Sequence, residues 1–395
     1  MSFASGLISY QRFFVDGHMP ADVNKKFMSS VESRSFGRAS PRPDDTQMGW
    51  IGPGHLLETD IVAERVAFGR FAHLAVRIDR LRPPANVLKA YARIEEEAAL
   101  TASGREYLSR GERQTAREAA KLRAEQETRA GGFRRMNSYP VLIDLEGKYV
   151  YLGNQGLGLA EKFGQLFSET FGSTLEPAGP EQVAARQMAR AERLRALESL
   201  TPNHLVDPPR GFMDEPADLA TGDLEFLGHE FLTWLWYQTD QDEGPLRIHS
   251  GDDVTTMIER TVRLKCDYNL TGTNVITADS PTTLPEAKSA LAIGKQPTRA
   301  GLILGCPLGE FRLTLDGPRL AVSSLVLPES DAAQDARARL EQRFELVTDV
   351  AGLLDALFEV YMLERTGRKW SGLARAMSKW VCGNGAQKTR RGRSA

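Results

Sequence analysis

The chain has 395 residues, 41% of them hydrophobic and 26% charged, which is enough for a folded interior and for two or three subdomains. Three widely spaced cysteines argue against a disulfide framework. No charged-then-apolar leader and no apolar run of membrane-spanning length is found, so the sequence predicts a cytoplasmic protein without a membrane partner. The net charge of −2 does not indicate nucleic acid by itself, but charge is distributed unevenly along the chain.

The first segment, residues 1–100, is predicted as the N-terminal α/β part of a central domain. Residues 66–79 indicate a strand pair or one bent strand, because Leu74, Val76 and Ile78 alternate with other residues and share a face. Two prolines after this strand are typical of a helix start.

A charged helical segment follows. Residues 103–129 are rich in Arg, Glu and Ala and contain few large apolar side chains, so this helix is expected to project as one arm of a hairpin over 101–135. Spacings of three, four and four place four cations on one side of it: Arg110, Arg113, Arg117 and Lys121. Such a stripe is either a solvated face balanced by Glu112, Glu118 and Glu125, or a surface that follows a phosphate backbone.

The turn GGFRRMN comes directly after the charged helix. Gly131 and Gly132 are expected to end the helix, as glycines do at helix C-termini. No periodic apolar face includes Phe133, and Arg134 and Arg135 follow it. Two interpretations stay open: Phe133 caps the hairpin, or it packs against nucleic acid or its symmetry mate while the two arginines hold phosphates.

The remainder of the N-terminal half, residues 136–206, contains a second charged helix predicted over 180–200. Arg186, Arg190 and Arg193 follow one another there at spacings of four and three. If they share a helix face, they form a second candidate phosphate-binding stripe.

The rest of the chain is divided by its charge. An acidic linker is predicted at 207–225, a C-terminal α/β domain at 226–364 and a basic tail at 365–395. The segment 214–243 contains no Lys or Arg, whereas no acidic residue follows Glu364. A basic terminal segment is a common partner of polyanions.

No catalytic constellation is predicted. Asp144, Glu146 and Lys148 imitate the acidic-acidic-lysine set of metal-dependent nucleases, but Gly147 between them indicates a bulged hairpin turn. The histidines show no metal-ligand spacing, and no nucleophile elbow is present. The residues by themselves therefore predict no metal or cofactor, and a nuclease is kept as an alternative.

The order of several features resembles one family, the recombination-associated RdgC proteins of bacteria. The features are an N-terminal strand, QMGW at 47–50, a strand and helix around Pro83-Pro84, a charged hairpin, Phe133-Arg-Arg-Met-Asn, FLTWLW at 231–236, and a helix–AIGKQ–strand stretch at 285–304 before a long terminal helix. The resemblance covers roughly residues 3–364 and is closer before residue 178 than after it. The acidic insertion near 207–225 and the basic tail depart from the family.

The resemblance implies a non-enzymatic protein that has an α+β fold with mixed α/β subdomains and a projecting charged hairpin, and whose two subunits close into a ring. Such a homodimeric ring holds duplex DNA without sequence preference, restricts access of a recombinase filament and associates with the nucleoid; single-stranded DNA is a further candidate ligand. The family's aromatic residue after the hairpin corresponds to Phe133, beside Arg134 and Arg135. The alternatives are a nuclease using Asp144 and Glu146, or a protein-interaction module that docks through 214–243.

An isologous subunit contact also requires apolar surface. Phe231, Trp234 and Leu235 lie in the strongly apolar segment that resembles the family's LTxW sequence, and we expect them to supply part of that contact. The segment that forms the rest of the contact is not indicated by the sequence.

Overall fold

The structure is a computed structural model, and it describes residues 3–38, 46–206, 224–241, 244–266, 271–329 and 335–391. Within these ranges the chain forms eleven α-helices and thirteen β-strands, so it is a mixed α+β protein as predicted. The first half contains β1 (Ile8–Asp16), α1 (Lys25–Ser33), β2 (Thr46–Ile51), α2 (Ala63–Val66), β3 (Ala67–Phe68), β4 (Phe71–Leu81), α3 (Ala85–Ser103), α4 (Arg110–Arg129), β5 (Arg134–Asp144), β6 (Tyr149–Leu152), α5 (Leu157–Phe171), β7 (Thr174–Pro177), α6 (Pro180–Arg190) and α7 (Leu194–Glu198). The second half contains α8 (Phe226–Gln241), β8 (Leu246–Arg247), β9 (Asp253–Cys266), β10 (Asn274–Ala278), α9 (Pro285–Ala292), β11 (Lys295–Cys306), β12 (Gly309–Asp316), β13 (Ala321–Val326), α10 (Ala336–Arg365) and α11 (Trp370–Arg391).

One antiparallel sheet joins the two halves of the chain. Its main path runs β10-β9-β11-β12-β13-β1-β6-β5-β4-β2, and β3, β7 and β8 pair with β4, β1 and β9 beside that path. The halves meet where β1 pairs with β13, with Tyr10 opposite Val322. The acidic segment predicted as a linker at 207–225 therefore does not separate two independent sheets, and residues 207–223 of it lie outside the described residues.

Alternation along β4 assigns its side chains to the two faces of the sheet. Leu74, Val76 and Ile78 share one face and are almost completely buried, as predicted. The cluster on this face includes side chains of α1 and α5. Trp50 of β2 is fully buried in it, and its indole Nε1 donates a hydrogen bond to Thr170 Oγ1 at 2.9 Å.

The opposite face carries the larger core, to which α6, α8, α10 and α11 all contribute. Phe231, Trp234 and Leu235 of α8 have an exposed fraction of 0%. The prediction that these residues form a subunit contact is therefore wrong, because they already pack inside the subunit. Residues on several sides of α8, such as Leu227 and Trp236, are buried as well, which is typical of a helix enclosed by other elements.

The charged helix predicted over 180–200 is interrupted. α6 ends at Arg190, and Glu192 adopts a left-handed φ of 56°. Backbone N–H groups of Glu192 and Arg193 donate to the carbonyls of Ala189 and Met188, at 3.2 and 2.8 Å, which closes the helix end. Arg193 therefore lies in a turn and does not continue the helix face that carries Arg186 and Arg190.

The segment predicted as a basic tail at 365–395 begins as part of the folded core. α10 ends at Arg365, which is buried, and α11 follows within a few residues. Met377 and Val381 of α11 are buried against the core of the second half, so a free tail cannot start before them. Among the described residues, neither α10 nor any other helix combines the length and apolar character needed to cross a membrane.

Candidate nucleic-acid interface

α3 and α4 form a helical hairpin whose two helices pack mainly on each other. A capping box starts α4: Ser109 Oγ accepts from the Glu112 N–H at 3.2 Å, and the Glu112 carboxylate accepts from the Ser109 N–H at 2.8 Å. The hydrogen bonds from Ser109, aided by Arg105, hold the pKa of the Glu112 carboxyl below its ordinary value. The hairpin begins at Ala85 and not at residue 101, because the whole of α3 packs on α4 and has no buried residue.

Small side chains of α4 form the contact between the two helices. Ala116, Ala120, Ala124 and Thr128 repeat at four-residue intervals and are buried, and α3 is the element packed beside them. Thr128 donates its hydroxyl to the Ala124 carbonyl at 2.7 Å, which satisfies the polar group. Such side chains bury little apolar area, so the hairpin depends on helix propensity and caps as well as packing. An element of this kind contributes little to the main core.

The four predicted cations of α4 form an exposed row beside this alanine face. We call Arg110, Arg113, Arg117 and Lys121 the hairpin stripe, and all four are exposed. Within the described part of the chain the three arginines make no ion pair, and Lys121 Nζ has only a distant contact of 4.0 Å with Glu125. The structure thus brings these four predicted residues together on one surface.

Four carboxylates of the hairpin have partners outside the stripe. Their contacts are Glu112 with Ser109 and Arg105, Glu118 with Gln114 at 2.9 Å, Glu95 with Arg123 at 3.8 Å, and Glu127 with the Tyr91 hydroxyl. Of the three counter-charges that the sequence offers, Glu112 and Glu118 do not pair with the stripe, and Glu125 approaches only Lys121, at 4.0 Å. Among the described residues, the three arginines of the hairpin stripe therefore have no carboxylate partner.

The turn after α4 ends the helix as predicted. The N–H groups of Gly131 and Gly132 donate to the carbonyls of Thr128 and Glu127 at 3.0 and 2.9 Å, and Gly131 has a left-handed φ of 94°. This pattern is a Schellman motif. Phe133 follows with a φ of 58°, an uncommon conformation for a residue with a bulky side chain. Its ring is half-buried and contacts no aromatic ring of the described residues.

Arg134 and Arg135 have different surroundings. Arg134 Nε lies 2.5 Å from Oδ2 of the buried Asp79, which also receives two hydrogen bonds of 2.8 Å from Arg77. The terminal nitrogens of Arg134 make no hydrogen bond to a described residue, and the side chain is 38% exposed. Arg134 therefore anchors the start of β5 and keeps donors free for a ligand.

Arg135 forms a pair with a residue that the sequence reasoning missed. Arg80 of β4 lies directly opposite Arg135 in the sheet, and both are exposed. Like charges opposite each other in neighbouring strands are destabilising unless an anion lies between them. No ion pair compensates either residue within the described ranges. Arg82, also exposed, follows at the end of β4. Only the register of β4 on β5 reveals this pair.

The second predicted stripe does not form. Arg186 pairs with Glu176 at 3.0 Å, and its guanidinium lies 3.7 Å from the centre of the Phe14 ring. Arg190 is exposed at the end of α6. Arg193 lies in the following turn and lines a separate cleft beside α10. These three residues therefore do not share one helix face.

The acidic turn at Asp144 is built as a hairpin. Asp144 Oδ1 accepts from the Gly147 N–H at 2.9 Å and lies 3.7 Å from Arg70 Nε. Glu146 is exposed, and Lys148 has a φ of 56° in the turn. In the ranges that the structure describes, no three His, Cys, Asp or Glu side chains are placed to hold a metal ion.

Comparison with known proteins adds no identification. No protein-family model matches the chain, and no curated protein matches it.

Proposed function

We propose that this protein binds DNA without sequence preference, through the hairpin stripe together with Arg80 and Arg135. The observation that carries the proposal is the uncompensated charge of the stripe. Its cations are exposed on an element that adds little to the core, while Glu112 and Glu118 have other partners and only Lys121 has a carboxylate nearby, Glu125 at 4.0 Å. Arginines that form no ion pair with a described residue are suited to contact phosphates.

The chemistry of these groups indicates a backbone contact. Arginine and lysine reach phosphate oxygens on any sequence, and each neutralised phosphate releases condensed counterions. Reading of base edges uses bidentate contacts from aligned side chains, and in the described structure no hydrogen bond to a neighbour aligns a side chain of the stripe. Affinity is therefore expected to fall steeply with salt and to differ little between duplexes.

The larger arrangement that we propose follows the resemblance to the RdgC proteins. Two subunits would close into a ring around duplex DNA, in the cytoplasm and on the nucleoid, and would restrict the access of a recombinase filament. The order of sequence features and the projecting hairpin support this proposal. The subunit contact must use surfaces other than Phe231, Trp234 and Leu235, which are buried.

The test is a titration of the full chain with two unrelated duplexes of equal length, at about 50 mM and about 200 mM salt. We expect equal affinities and a log–log slope of about −0.9 per phosphate contact. Replacement of Arg110, Arg113, Arg117 and Lys121 by Ala should reduce the slope by about three to four units and leave the melting temperature unchanged.

A matched control removes equal charge from other elements. Lys25 and Lys26 of α1 and Arg263 and Lys265 of β9 are exposed, and their replacement by Ala should leave the slope unchanged. An equal loss of salt slope in both quadruple variants would mean that only net charge matters.

DNA must also stay intact when Mg²⁺ or Mn²⁺ is added, since cleavage would favour the nuclease.

The ring has its own test. Light scattering at micromolar concentration should give the mass of a dimer. A monomer that still binds duplex DNA with the expected salt slope would rule out the ring, but the hairpin surface would remain the proposed DNA contact.

A further inference from the structure

A second cationic site lies away from the hairpin. A cleft of about 640 Å³ is bounded by the turn after α6, the β8–β9 turn, the end of α10 and the start of α11. Four cations from these elements line it: Arg193, Arg247, Arg368 and Lys369. The volume is within the usual range of small-molecule sites.

The backbone around the cleft is fixed. The N–H groups of Thr366, Gly367 and Trp370 donate to the carbonyls of Met362, Glu364 and Gly367 at 3.0, 2.9 and 3.1 Å. The guanidinium of Arg365, which is bound to buried Glu230, lies 4.9 Å from the centre of the Trp370 ring. The connection that carries Arg368 and Lys369 is therefore held in one conformation.

The other two cations are positioned by turns as well. Arg193 Nη1 lies 3.4 Å from the Leu363 carbonyl near the end of α10. Arg247 precedes a tight turn in which Ile248 N–H donates to the Asp252 carbonyl at 3.0 Å and Gly251 N–H donates to the Ile248 carbonyl at 2.9 Å. Four cations from distant parts of the sequence are thus directed to one cleft.

The charge of the cleft favours an anion. Two carboxylates, Glu359 and Glu364, also line it, and Glu364 accepts a hydrogen bond of 2.8 Å from Trp234 Nε1. Among the described residues, Arg247, Arg368 and Lys369 form no ion pair. Four cations against two carboxylates leave positive charge that a phosphate group would neutralise.

The apolar floor of the cleft favours a ligand larger than an inorganic anion. It consists of Ile248, Val360, Leu363, Trp370 and Leu373, which offer apolar surface to a ligand. Glu359 has no partner among the described residues and can accept a hydrogen bond from a hydroxyl or amino group. We propose that this cleft binds a nucleotide, with its phosphates on the cations, its base on the apolar floor and its ribose or base donors on Glu359.

Calorimetric titration of the full chain with ATP, AMP and inorganic tripolyphosphate tests the proposal. We expect ATP to bind more tightly than AMP, because it offers more charge, and more tightly than tripolyphosphate, because it also covers the floor. The double variant Arg247→Ala/Arg368→Ala should weaken ATP binding by about tenfold or more, since hydrogen bonds to charged groups are lost. The control Arg375→Ala/Lys379→Ala removes two exposed cations of α11 outside the cleft and should leave it unchanged.

Competition by a 5′-phosphorylated oligonucleotide identifies the source of the nucleotide. Displacement of ATP would assign the site to a DNA strand end, and its absence would assign it to a free nucleotide. Binding of ATP no tighter than tripolyphosphate, or no binding of ATP, would overturn the proposal. The hairpin variants should bind ATP normally, so this proposal and the DNA-binding proposal can fail separately.

Discussion

The hairpin and the interior of the subunit use arginine in opposite ways. On α4, Arg110, Arg113 and Arg117 are exposed and make no ion pair with a described residue. In the interior, Arg12 and Arg365 are less than 10% exposed and are bound to Asp355 and Glu230. Both of these buried arginines have a carboxylate partner, whereas an exposed arginine is free to meet an external anion.

The largest expected effect comes from breaking an interior pair. Glu230 accepts hydrogen bonds from Arg365 Nε at 2.7 Å, Tyr361 Oη at 2.8 Å and the Asn203 N–H at 2.6 Å. Burial, followed by the charge of Glu230, raises the pKa of the Tyr361 hydroxyl well above its ordinary value, so it remains a donor. Glu230→Ala would leave a buried guanidinium unpaired and should lower the free energy of unfolding by about 3–5 kcal/mol.

Urea denaturation measures this loss. Glu118→Ala on the exposed side of α4 is the matched control, and should change stability by no more than about 0.5 kcal/mol. If Glu230→Ala lowered the free energy of unfolding no more than the control does, interior and hairpin charges would not differ in their contribution to stability.

The second effect concerns His73, a core residue of the same strand that carries Arg80. Its ring is 3% exposed, its Nε2 has no hydrogen-bond partner, and the rings of Phe3, Phe68 and Phe344 surround it at 4.9–6.4 Å. Burial lowers the pKa of His73 from 6.5 to about 4. The unfolded chain therefore binds more protons between these values, and stability is lost as the pH falls through that window.

The contribution can be isolated by substitution. Between pH 7 and pH 5, wild type should lose about 2 kcal/mol of unfolding free energy relative to His73→Leu. Chemical denaturation of both proteins at the two pH values gives this difference. Parallel pH profiles for the two proteins would show that folding does not lower the pKa of His73.

Local patterns and long-range contacts differ in how far the sequence predicts them. The common face of Leu74, Val76 and Ile78 and the end of α4 at Gly131 follow from periodicity and turn chemistry within a few residues. The partner of Arg12, Asp355, is 343 residues away, so no local pattern identifies it.

Long-range contacts also explain the wrong prediction for α8 and the missed pair of Arg80 and Arg135. Phe231 and Trp234 were expected on a subunit surface because α8 is apolar on several sides, and only the packing of α10 beside it shows that they are enclosed. The Arg80 and Arg135 pair depends on the register of β4 on β5, and spacing within either strand does not reveal it.

The third prediction compares two neighbouring arginines, Arg134 and Arg135, at the boundary between the core and the proposed interface. Arg134→Ala removes one of two guanidinium partners of the buried Asp79, and because Arg77 remains, we expect a loss of about 1 kcal/mol of unfolding free energy. Arg135→Ala removes no described partner, and should change stability by less than about 0.5 kcal/mol.

DNA titration of the same two variants completes the comparison. Each should lower the salt slope by about one unit, because both arginines keep donors that can reach a phosphate. If Arg134→Ala lowered the free energy of unfolding but left the salt slope unchanged, Arg134 would only anchor β5 and would not contact DNA. An unchanged slope for Arg135→Ala would remove the Arg80 and Arg135 pair from the proposed surface.

The smallest effect on stability is expected at Phe133, where the two interpretations of the turn can be separated. Its φ of 58° costs roughly 1 kcal/mol for a residue with a side chain, and Asn tolerates this conformation better than Ala does. If the half-buried ring serves DNA, Phe133→Asn and Phe133→Ala should both weaken duplex binding without lowering the melting temperature, and Asn should be the more stable of the two. If the ring caps the hairpin, both substitutions should lower the melting temperature and leave affinity unchanged. We expect the first result, because no aromatic ring of the described chain packs on Phe133 and the adjacent arginines already have free donors.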